Sequence, residues 1–287
     1  MHIDTWFVRY GEAAQYVAYA ATLAALRLFE LRGRPPRPPT RTGSRWRVNF
    51  LLTGLNILVL GALPLSFITA AQWGERHSHG LLRAIELPLA AELVLGLLGR
   101  GFISWITHLL MHKVPVLWRV HRVHHTDTEL DVSSTVRFHP LEFPITLMIG
   151  LPLVLTLGID PWVLLAYEIL DAAITVFSHA DIELPEPIER LLRYVIVTPG
   201  LHRVHHSSLP VETDSNFSAV FPIWDLLFGT FRTAGTAELR RMQLGLSEVR
   251  DERALSLAWL LRAPFLAALD AKLPSRSSQP TLLARSE

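Results

Sequence analysis

The sequence has no cysteine, and charged residues make up only 18% of its 287 positions. The absence of cysteine excludes a disulfide framework, a thiolate metal site, an iron–sulfur cluster and a cysteine nucleophile. An ordinary soluble domain carries about 25% charged residues, and the shortage here accompanies a hydrophobic content of 50%. The net charge is only +1, whereas nucleic-acid-binding domains carry a basic surface. The composition therefore predicts a membrane protein with several spanning helices and no nucleic-acid partner.

Four apolar regions are long enough to predict membrane-spanning helices. They are residues 13–29, 48–73, 82–107 and 143–177. The last region is too long for one helix and is interrupted by Gly158-Ile159-Asp160-Pro161, which predicts a hairpin of two short helices. We therefore predict an all-α fold, a polytopic membrane helical bundle of four to five spans that include the hairpin.

The distribution of arginine predicts how this bundle is oriented. Residues 30–47 contain six arginines: Arg32, Arg34, Arg37, Arg41, Arg45 and Arg47. The positive-inside rule makes this loop cytoplasmic and the N-terminus external, and we expect the loop to contact anionic lipids. Since the hairpin crosses the membrane twice, the segments before and after it share the cytoplasmic face. Arginine also outnumbers lysine 25 to 2, as in GC-rich bacteria, so we expect a bacterial inner membrane.

Histidine is concentrated in the middle of the chain. Ten of the 13 histidines lie between His108 and His206, where an even distribution would place about four or five. Eight of them form three clusters with helical spacing: His108 and His112; His121, His124 and His125; His202, His205 and His206. Residues three or four apart share one face of a helix, so each cluster directs its imidazoles the same way. Buried imidazoles packed together without a metal would be an uncompensated polar cluster, so the clusters predict metal binding.

The number and type of these residues restrict the metal site. With His179 there are nine candidate ligands, which is more than one ion uses and favours two ions. Neutral imidazole suits iron, zinc, copper and nickel, so zinc stays an alternative to iron. The Glu-x-x-His pattern of soluble di-iron bundles and the His-Glu-x-x-His pattern of zinc proteases are both absent. An all-histidine pair of metals at a membrane surface suits oxygen activation on a lipid.

Further short motifs accompany the histidine clusters. In chain order the motifs are His108-x-x-x-His112, Trp118-Arg119-x-His121-x-x-His124-His125, Arg137-Phe-His139-Pro140-Leu-Glu142, His179-Ala180, His202-x-x-His205-His206, Ser215-Asn216-Phe217 and Trp224-Asp225-x-x-Phe228-Gly229-Thr230. Over residues 101–231 this order resembles the fatty acid hydroxylase / sterol desaturase superfamily of integral-membrane di-iron oxygenases.

The resemblance implies an enzyme that hydroxylates or desaturates an unactivated C–H bond of a lipid, such as a sterol or a fatty acyl chain. It implies two iron ions, dioxygen as co-substrate and electrons from a separate reductase, because the chain has no nicotinamide or flavin motif of its own. The implied metal ligands are His108, His112, His121, His124, His125, His179, His202, His205 and His206. We expect His139, Asp171 and Asn216 to support these ligands, and segment 224–230 to shape a cytosolic cap.

Three regions follow from this reading. Residues 1–100 form N-terminal membrane helices, residues 101–232 form the catalytic region with its cytoplasmic metal-binding cap, and residues 233–287 form an amphipathic surface helix over 254–273 and a disordered tail. Two departures from the superfamily pattern, Gly101 for aspartate and Leu109 for arginine, keep a non-catalytic lipid-binding relative as an alternative. A membrane zinc-binding or transport protein is a second alternative, which predicts polar residues along the spans.

Overall fold

The computed structural model describes residues 3–33 and 39–266, and over these residues it contains helices and no β-strand. The helices are α1 (Ile3–Gly33), α2 (Pro39–Ala62), α3 (Phe67–Arg76), α4 (Leu89–Lys113), α5 (Pro115–His121), α6 (Glu142–Leu157), α7 (Pro161–His179), α8 (Glu186–Leu192), α9 (Pro199–His205), α10 (Pro210–Thr213), α11 (Ile223–Phe228), α12 (Thr236–Arg241) and α13 (Leu257–Arg262). Short 3₁₀ turns lie at Leu81–Ala84, His124–Thr126, Val132–Val136, Glu252–Leu255 and Ala263–Phe265. The prediction of an all-α fold is confirmed.

Three stretches of the described chain are long and apolar enough to cross a membrane. They are Thr42–Ala84, which includes α2 and α3, Leu89–Lys113 and Pro161–His179. Helix α6 is apolar but shorter, and α1, which covers the predicted first span, packs along α7. The structure thus has the apolar helices of an integral membrane protein, and the number of spans stays a prediction.

The predicted second span, residues 48–73, is two helices. Helix α2 ends at Ala62 and α3 begins at Phe67, after Pro64 has removed one backbone donor. The Ser66 hydroxyl accepts from the Thr69 backbone N–H at 3.1 Å, and the Thr69 hydroxyl accepts from the Ser66 N–H at 2.8 Å. This capping box starts α3. The sequence analysis did not predict this break, because an uncharged helix break does not interrupt hydropathy, and residues 48–73 still lie within one candidate span.

Helix α4 begins later than the predicted third span and extends further. Pro88 stands at its N-cap position, and the helix continues past His108 and His112 to Lys113. The first histidine cluster therefore lies in the last turns of an apolar helix rather than in a loop after it. This places its imidazoles at one end of the helical bundle.

The break inside the fourth apolar region is confirmed. Helix α6 ends at Gly158, whose φ of 67° is left-handed, and α7 starts with Pro161 after an Asp160 cap. A Cβ at Gly158 would lie 2.8 Å from the Cα of Gly80, so only glycine allows these two loops to touch. Helices α3 and α4 each pack against both α6 and α7. The bundle thus has one end at the two glycine loops and the histidines at the other end.

Arg45 does not fit the expectation that the arginine-rich loop contacts anionic lipids, because its side chain is buried in the protein. Its guanidinium is 3% exposed and donates to the carboxylates of Asp127 at 2.8 Å and Asp131 at 3.0 Å. Burial alone would raise the pKa of Asp127, but Arg45 holds that pKa well below its ordinary value. The positive-inside rule counts charges and does not register that this one is paired inside the protein. Residues 34–38, with two of the arginines, lie outside the described residues.

The structure describes the predicted amphipathic helix over 254–273 only as far as residue 266, and this part is not one continuous helix. It consists of the short helix α13 between two 3₁₀ turns, with Ser256 capping α13 and Pro264 in the second turn. Leu260 is fully buried in a core with Leu52 of α2 and Val123. Leu260 therefore packs against the protein, whereas Phe265 is exposed, and contact of this segment with a membrane surface stays a prediction. Residues 275–287, the predicted tail, lie outside the described residues.

Candidate metal centre

The structure brings together all nine histidines that the sequence singles out, in two groups. The ligand nitrogens within each group lie within 4.8 Å of one another. The first group is His108, His112, His121, His125 and His205, and the second is His124, His179, His202 and His206. The side chains come from the ends of α4, α5, α7 and α9 and from the 3₁₀ turn after α5.

The two His-x-x-His-His motifs contribute to both groups in a reciprocal way. In the first motif, His121 and His125 join the first group and His124 joins the second. In the second motif, His202 and His206 join the second group and His205 joins the first. Residues four apart lie nearly above one another on a helix and the third is rotated away. Each motif therefore connects the two groups, which lie side by side in one cluster.

Hydrogen bonds to the Nδ1 atoms orient several rings. The carbonyl oxygens of Phe217, Thr175 and Ser215 lie 2.7–2.8 Å from the Nδ1 atoms of His108, His179 and His205, in that order. A carbonyl only accepts, so these Nδ1 atoms carry the proton and the Nε2 atoms carry a free lone pair. This is the tautomer that a metal-binding imidazole requires.

Glu142 orients His121 in the same way, and sequence reasoning did not assign it to the site. Its Oε1 lies 2.6 Å from the Nδ1 of His121, the carboxylate–histidine pairing that often supports a metal ligand. The signal was available, because Glu142 ends the motif that begins at Arg137. The sequence analysis assigned His139 of this motif, instead of Glu142, to support the ligands, because histidine is itself a metal-ligand type.

The Nε2 atoms face one another at the centre of the groups. The Nε2 atoms of His108 and His121 are 3.0 Å apart. Each of these rings carries its proton on Nδ1, so neither Nε2 atom has a proton to donate to the other. In the second group, the Nε2 of His179 lies 2.9 Å from that of His202. The Nε2 of His205 is buried with no hydrogen-bond partner among the described residues. Converging buried lone pairs repel one another and are stabilised by a bound cation, so the donor set fits metal ions.

The electrostatic environment keeps these imidazoles neutral. Four rings have a pKa well below the ordinary value for histidine. Burial is the largest cause and the neighbouring imidazoles are the second. The four rings are His124, His125, His202 and His206. Burial lowers the pKa of His205 to about 3. Only the neutral ring has a lone pair to donate, so the protein environment itself prepares the ligand form.

The three predicted supporting residues have different positions. Asn216, in a left-handed conformation with φ of 53°, donates to the carbonyls of Leu201 at 3.0 Å and Arg232 at 2.7 Å, and so joins α9 to residue 232. The Nδ1 of His139 accepts from the Leu141 N–H, and its Nε2 contacts the Leu261 carbonyl at 3.2 Å, so the ring links to α13. The Asp171 side chain is hydrogen-bonded to Thr175 and lines a cavity.

Asp225 is a second residue that sequence reasoning did not assign. Its buried carboxylate accepts from the backbone N–H groups of Phe217 at 2.8 Å and Ser218 at 2.9 Å, and from the Trp105 indole at 3.1 Å. It thereby holds the Phe217 carbonyl that orients His108. The adjacent Trp224 indole lies 3.3 Å from the position of a Cβ on Gly101, so it occupies the space that a side chain would take at this departure from the superfamily pattern.

A cavity of about 240 Å³ opens from the histidine groups into the helical bundle. Rings from both groups line it, among them His108, His121 and His179. The remaining walls come from α3, α4, α6 and α7, together with Phe138 and residues 218–219. A group bound in this cavity would lie next to both sets of ligand nitrogens.

The fold and this site define a membrane-type helical protein with a histidine-rich metal centre, and comparison with known proteins gives its family. The sequence model of the fatty acid hydroxylase family matches residues 93–230, which contain every histidine of both groups. The chain belongs to the fatty acid hydroxylase family. No solved structure matches it significantly.

Curated relatives in this family act on lipids, as their names state. The chain is 32% identical to the ornithine lipid hydroxylase of Rhizobium tropici, over 75% of this chain and 66% of the relative. It is 27% identical to the alkylglycerol monooxygenase of Homo sapiens, over 85% and 53%. It is 30% identical to the cholesterol 25-hydroxylase of Homo sapiens, over 58% and 61%. The chain thus spans between 53% and 66% of the length of these relatives.

Proposed function

We propose that the protein is a membrane-bound, dioxygen-dependent lipid hydroxylase with two iron ions. The observation that carries the proposal is the pair of histidine groups beside one cavity, with ligand nitrogens within 4.8 Å of one another in each group. Relatives named as hydroxylases and monooxygenases of three lipid classes support it and favour hydroxylation over desaturation.

The nine histidines would hold the metal, and two iron ions, when bound, would supply dioxygen activation. In the overall reaction a lipid C–H bond is replaced by C–OH, and the second oxygen atom leaves as water. Two electrons and two protons balance this reduction, and we assign the electrons to a separate reductase.

The protein residues prepare this reaction before substrate arrives. The carbonyls of Phe217, Thr175 and Ser215 keep three Nε2 atoms directed inward, and Glu142 does the same for His121. Burial keeps water away from the reacting position and restricts the substrate to the cavity. The lipid would enter from the bilayer between the apolar helices, at the cytoplasmic side of a bacterial inner membrane with the N-terminus external.

The test is lipid mass spectrometry of host membranes that contain the full chain, grown under ¹⁸O₂. We expect a lipid species that gains one labelled oxygen atom. His124→Ala and His205→Ala, one from each group, should abolish it, and His79→Ala, an exposed residue far along the chain from both groups, should retain it. Iron bound at full occupancy without any oxygenated lipid would contradict the proposal. Stoichiometric zinc and no iron after anaerobic purification would favour a zinc-binding protein instead.

A further inference from the structure

The cavity has a polar region deeper in the bundle that metal binding does not explain. Asp171, Thr175 and His179 are spaced four residues apart on α7 and all line the cavity. Eight residues of helix separate Asp171 from His179, which is about 12 Å along the axis. An ionisable residue at this depth of an apolar helix is energetically costly, and its presence therefore indicates a function.

The neighbouring charges are already paired with each other. The Arg100 Nε donates to the Glu168 Oε1 at 2.8 Å. Its guanidinium also lies 4.8 Å from the ring centre of Phe67 and 5.0 Å from that of Tyr167. Arg100 also interacts electrostatically with Asp171. Its direct hydrogen bond goes to Glu168, so Asp171 is a second acidic group beside a single cation.

Three oxygen atoms on this wall have no hydrogen-bond partner among the described residues. They are the Asp171 Oδ1, the Thr107 Oγ1 and the Ser218 Oγ, and each atom is buried. All three side chains line the cavity, and they come from α7, α4 and the segment that Asp225 holds. An alkyl chain in this space would leave every one of them without a partner, which is unfavourable. A ligand with hydrogen-bond donors would satisfy them.

We infer that the substrate is a lipid that carries an O–H or N–H donor, and that Asp171 accepts a hydrogen bond from it in the deeper part of the cavity. The inference rests on the proposed function and narrows its substrate class. A saturated acyl chain inside an ester lipid has no such donor and would be a poor substrate. A hydroxyl-bearing glycerol ether and an aminoacyl lipid both have one, so the shared chemistry is the donor and not the particular headgroup.

Binding and turnover are measured separately with three lipid probes. A monoalkylglycerol supplies hydroxyls, an ornithine lipid supplies an amine and an amide, and phosphatidylcholine has neither O–H nor N–H. Native mass spectrometry of the metal-free full chain reports binding, and the iron-loaded protein with a chemical reductant reports kcat and KM. We expect at least one donor lipid to bind and to be oxygenated in preference to phosphatidylcholine, and the arm that succeeds identifies the source of the donor.

Asp171→Asn should weaken binding and raise KM for the donor lipid about ten- to a hundredfold, because an amide replaces the carboxyl group that accepts the hydrogen bond. Its kcat and its affinity for phosphatidylcholine should change little, and Asp171→Glu should restore part of the binding. Should Asp171→Asn fail to fold, Ser218→Ala removes another unpartnered oxygen without altering charge and should also weaken donor-lipid binding.

Two results would overturn the inference. Equal binding of phosphatidylcholine and the donor lipids would show that the polar wall does not select substrate. An equal fall of kcat for all lipids in Asp171→Asn, with binding unchanged, would assign Asp171 to proton supply instead. Failure of the proposed function looks different, because donor lipids would then bind in an Asp171-dependent way without any oxygenated product.

Discussion

At the scale of single residues, the site depends on which ring nitrogen of each histidine carries the proton. Backbone carbonyls decide this for His108, His179 and His205, and no side-chain substitution removes them. His121 depends instead on a side chain, the carboxylate of Glu142, whose Oε1 lies 2.6 Å from its Nδ1. This makes Glu142 the position where ligand orientation is most directly testable by mutation.

Glu142→Gln should weaken metal binding. The amide keeps the size of the side chain but is uncharged, so the Nδ1–H of His121 loses a charge-assisted hydrogen bond. We expect metal affinity or lipid turnover to fall about ten- to a hundredfold, measured by iron titration against a competing chelator. The matched control is Glu186→Gln, whose carboxylate is exposed on α8 and pairs with Arg190. Unchanged metal affinity in Glu142→Gln would show that His121 does not need this partner.

At the scale of elements, buried ion pairs join the N-terminal helices to the site. Arg45 on α2 contacts Asp127 and Asp131, in the loop that follows the histidines of α5. Arg137 in the same region donates to the Asn49 side chain at 2.8 Å. The N-terminal helices therefore position the histidine-bearing loop.

Arg45→Met should destabilise the whole fold. The substitution leaves Asp127 and Asp131 buried without their main counter-charge, which costs about 3–5 kcal/mol for a broken buried ion pair. Denaturant unfolding of the full chain in detergent measures the change in free energy. Arg47→Met, at an exposed position two residues later, is the control and should have little effect. Equal stability of both variants would mean that the ion pair contributes nothing net.

Helix α11 shows a second relation between elements. Phe228 stacks on Trp105 of α4 with ring centres 4.6 Å apart. Trp105 lies eight residues before the end of α4 at Lys113, about 12 Å along the axis of an apolar helix. Leu227 nevertheless remains 65% exposed. The predicted cap segment 224–230 therefore packs beside α4, and its apolar side chains face outward at the depth of that helix.

We predict that α11 contacts lipid directly. Because the chain has no cysteine, Leu227→Cys is the only site for a thiol-reactive, polarity-sensitive fluorophore. Its emission should be shifted toward that of an apolar environment and quenched by lipids with brominated chains. Ser247→Cys, at an exposed polar position, should show neither effect. Water-like emission at both positions would contradict membrane contact by α11.

At the scale of the whole molecule, the bundle has two distinct ends. The loops at Gly80 and Gly158 touch at one end, and the histidines of α4 and α7 lie at the other. The predicted hairpin crosses the membrane twice, so the histidine segments before and after it should lie on one side of the membrane. In the structure both segments lie at the same end of the bundle. That this end faces the cytoplasm stays a prediction from the arginines.

Single cysteines test the orientation. A membrane-impermeant maleimide added to spheroplasts, which expose the outer face of the inner membrane, should label His79→Cys, in the loop beside Gly80. It should label Ser247→Cys only after the membrane is opened. Both positions are exposed, so access and not burial determines the result. The opposite labelling pattern would place the metal centre outside.

Much of the site was predictable from local spacing. The Gly158 to Pro161 stretch predicted the helix break, and helical spacing identified eight of the nine histidines, because both signals depend on neighbours within four residues. His179 was assigned as a ligand through the resemblance to the superfamily. Glu142, Asp225 and Arg45 escaped prediction. The partners named above lie between 7 and 120 residues away along the chain, and no local pattern distinguishes a paired carboxylate from a solvated one.

The sequence by itself determined the absence of thiol chemistry, the apolar helices and the identity of the histidines, since these follow from composition and period. Only the tertiary structure decided that His121 and His125 separate from His124, that Nε2 atoms converge, and that Asp171 lies on an unpaired polar wall. Those facts depend on how α4, α5, α7 and α9 pack, which is a property of side chains brought together from distant parts of the chain.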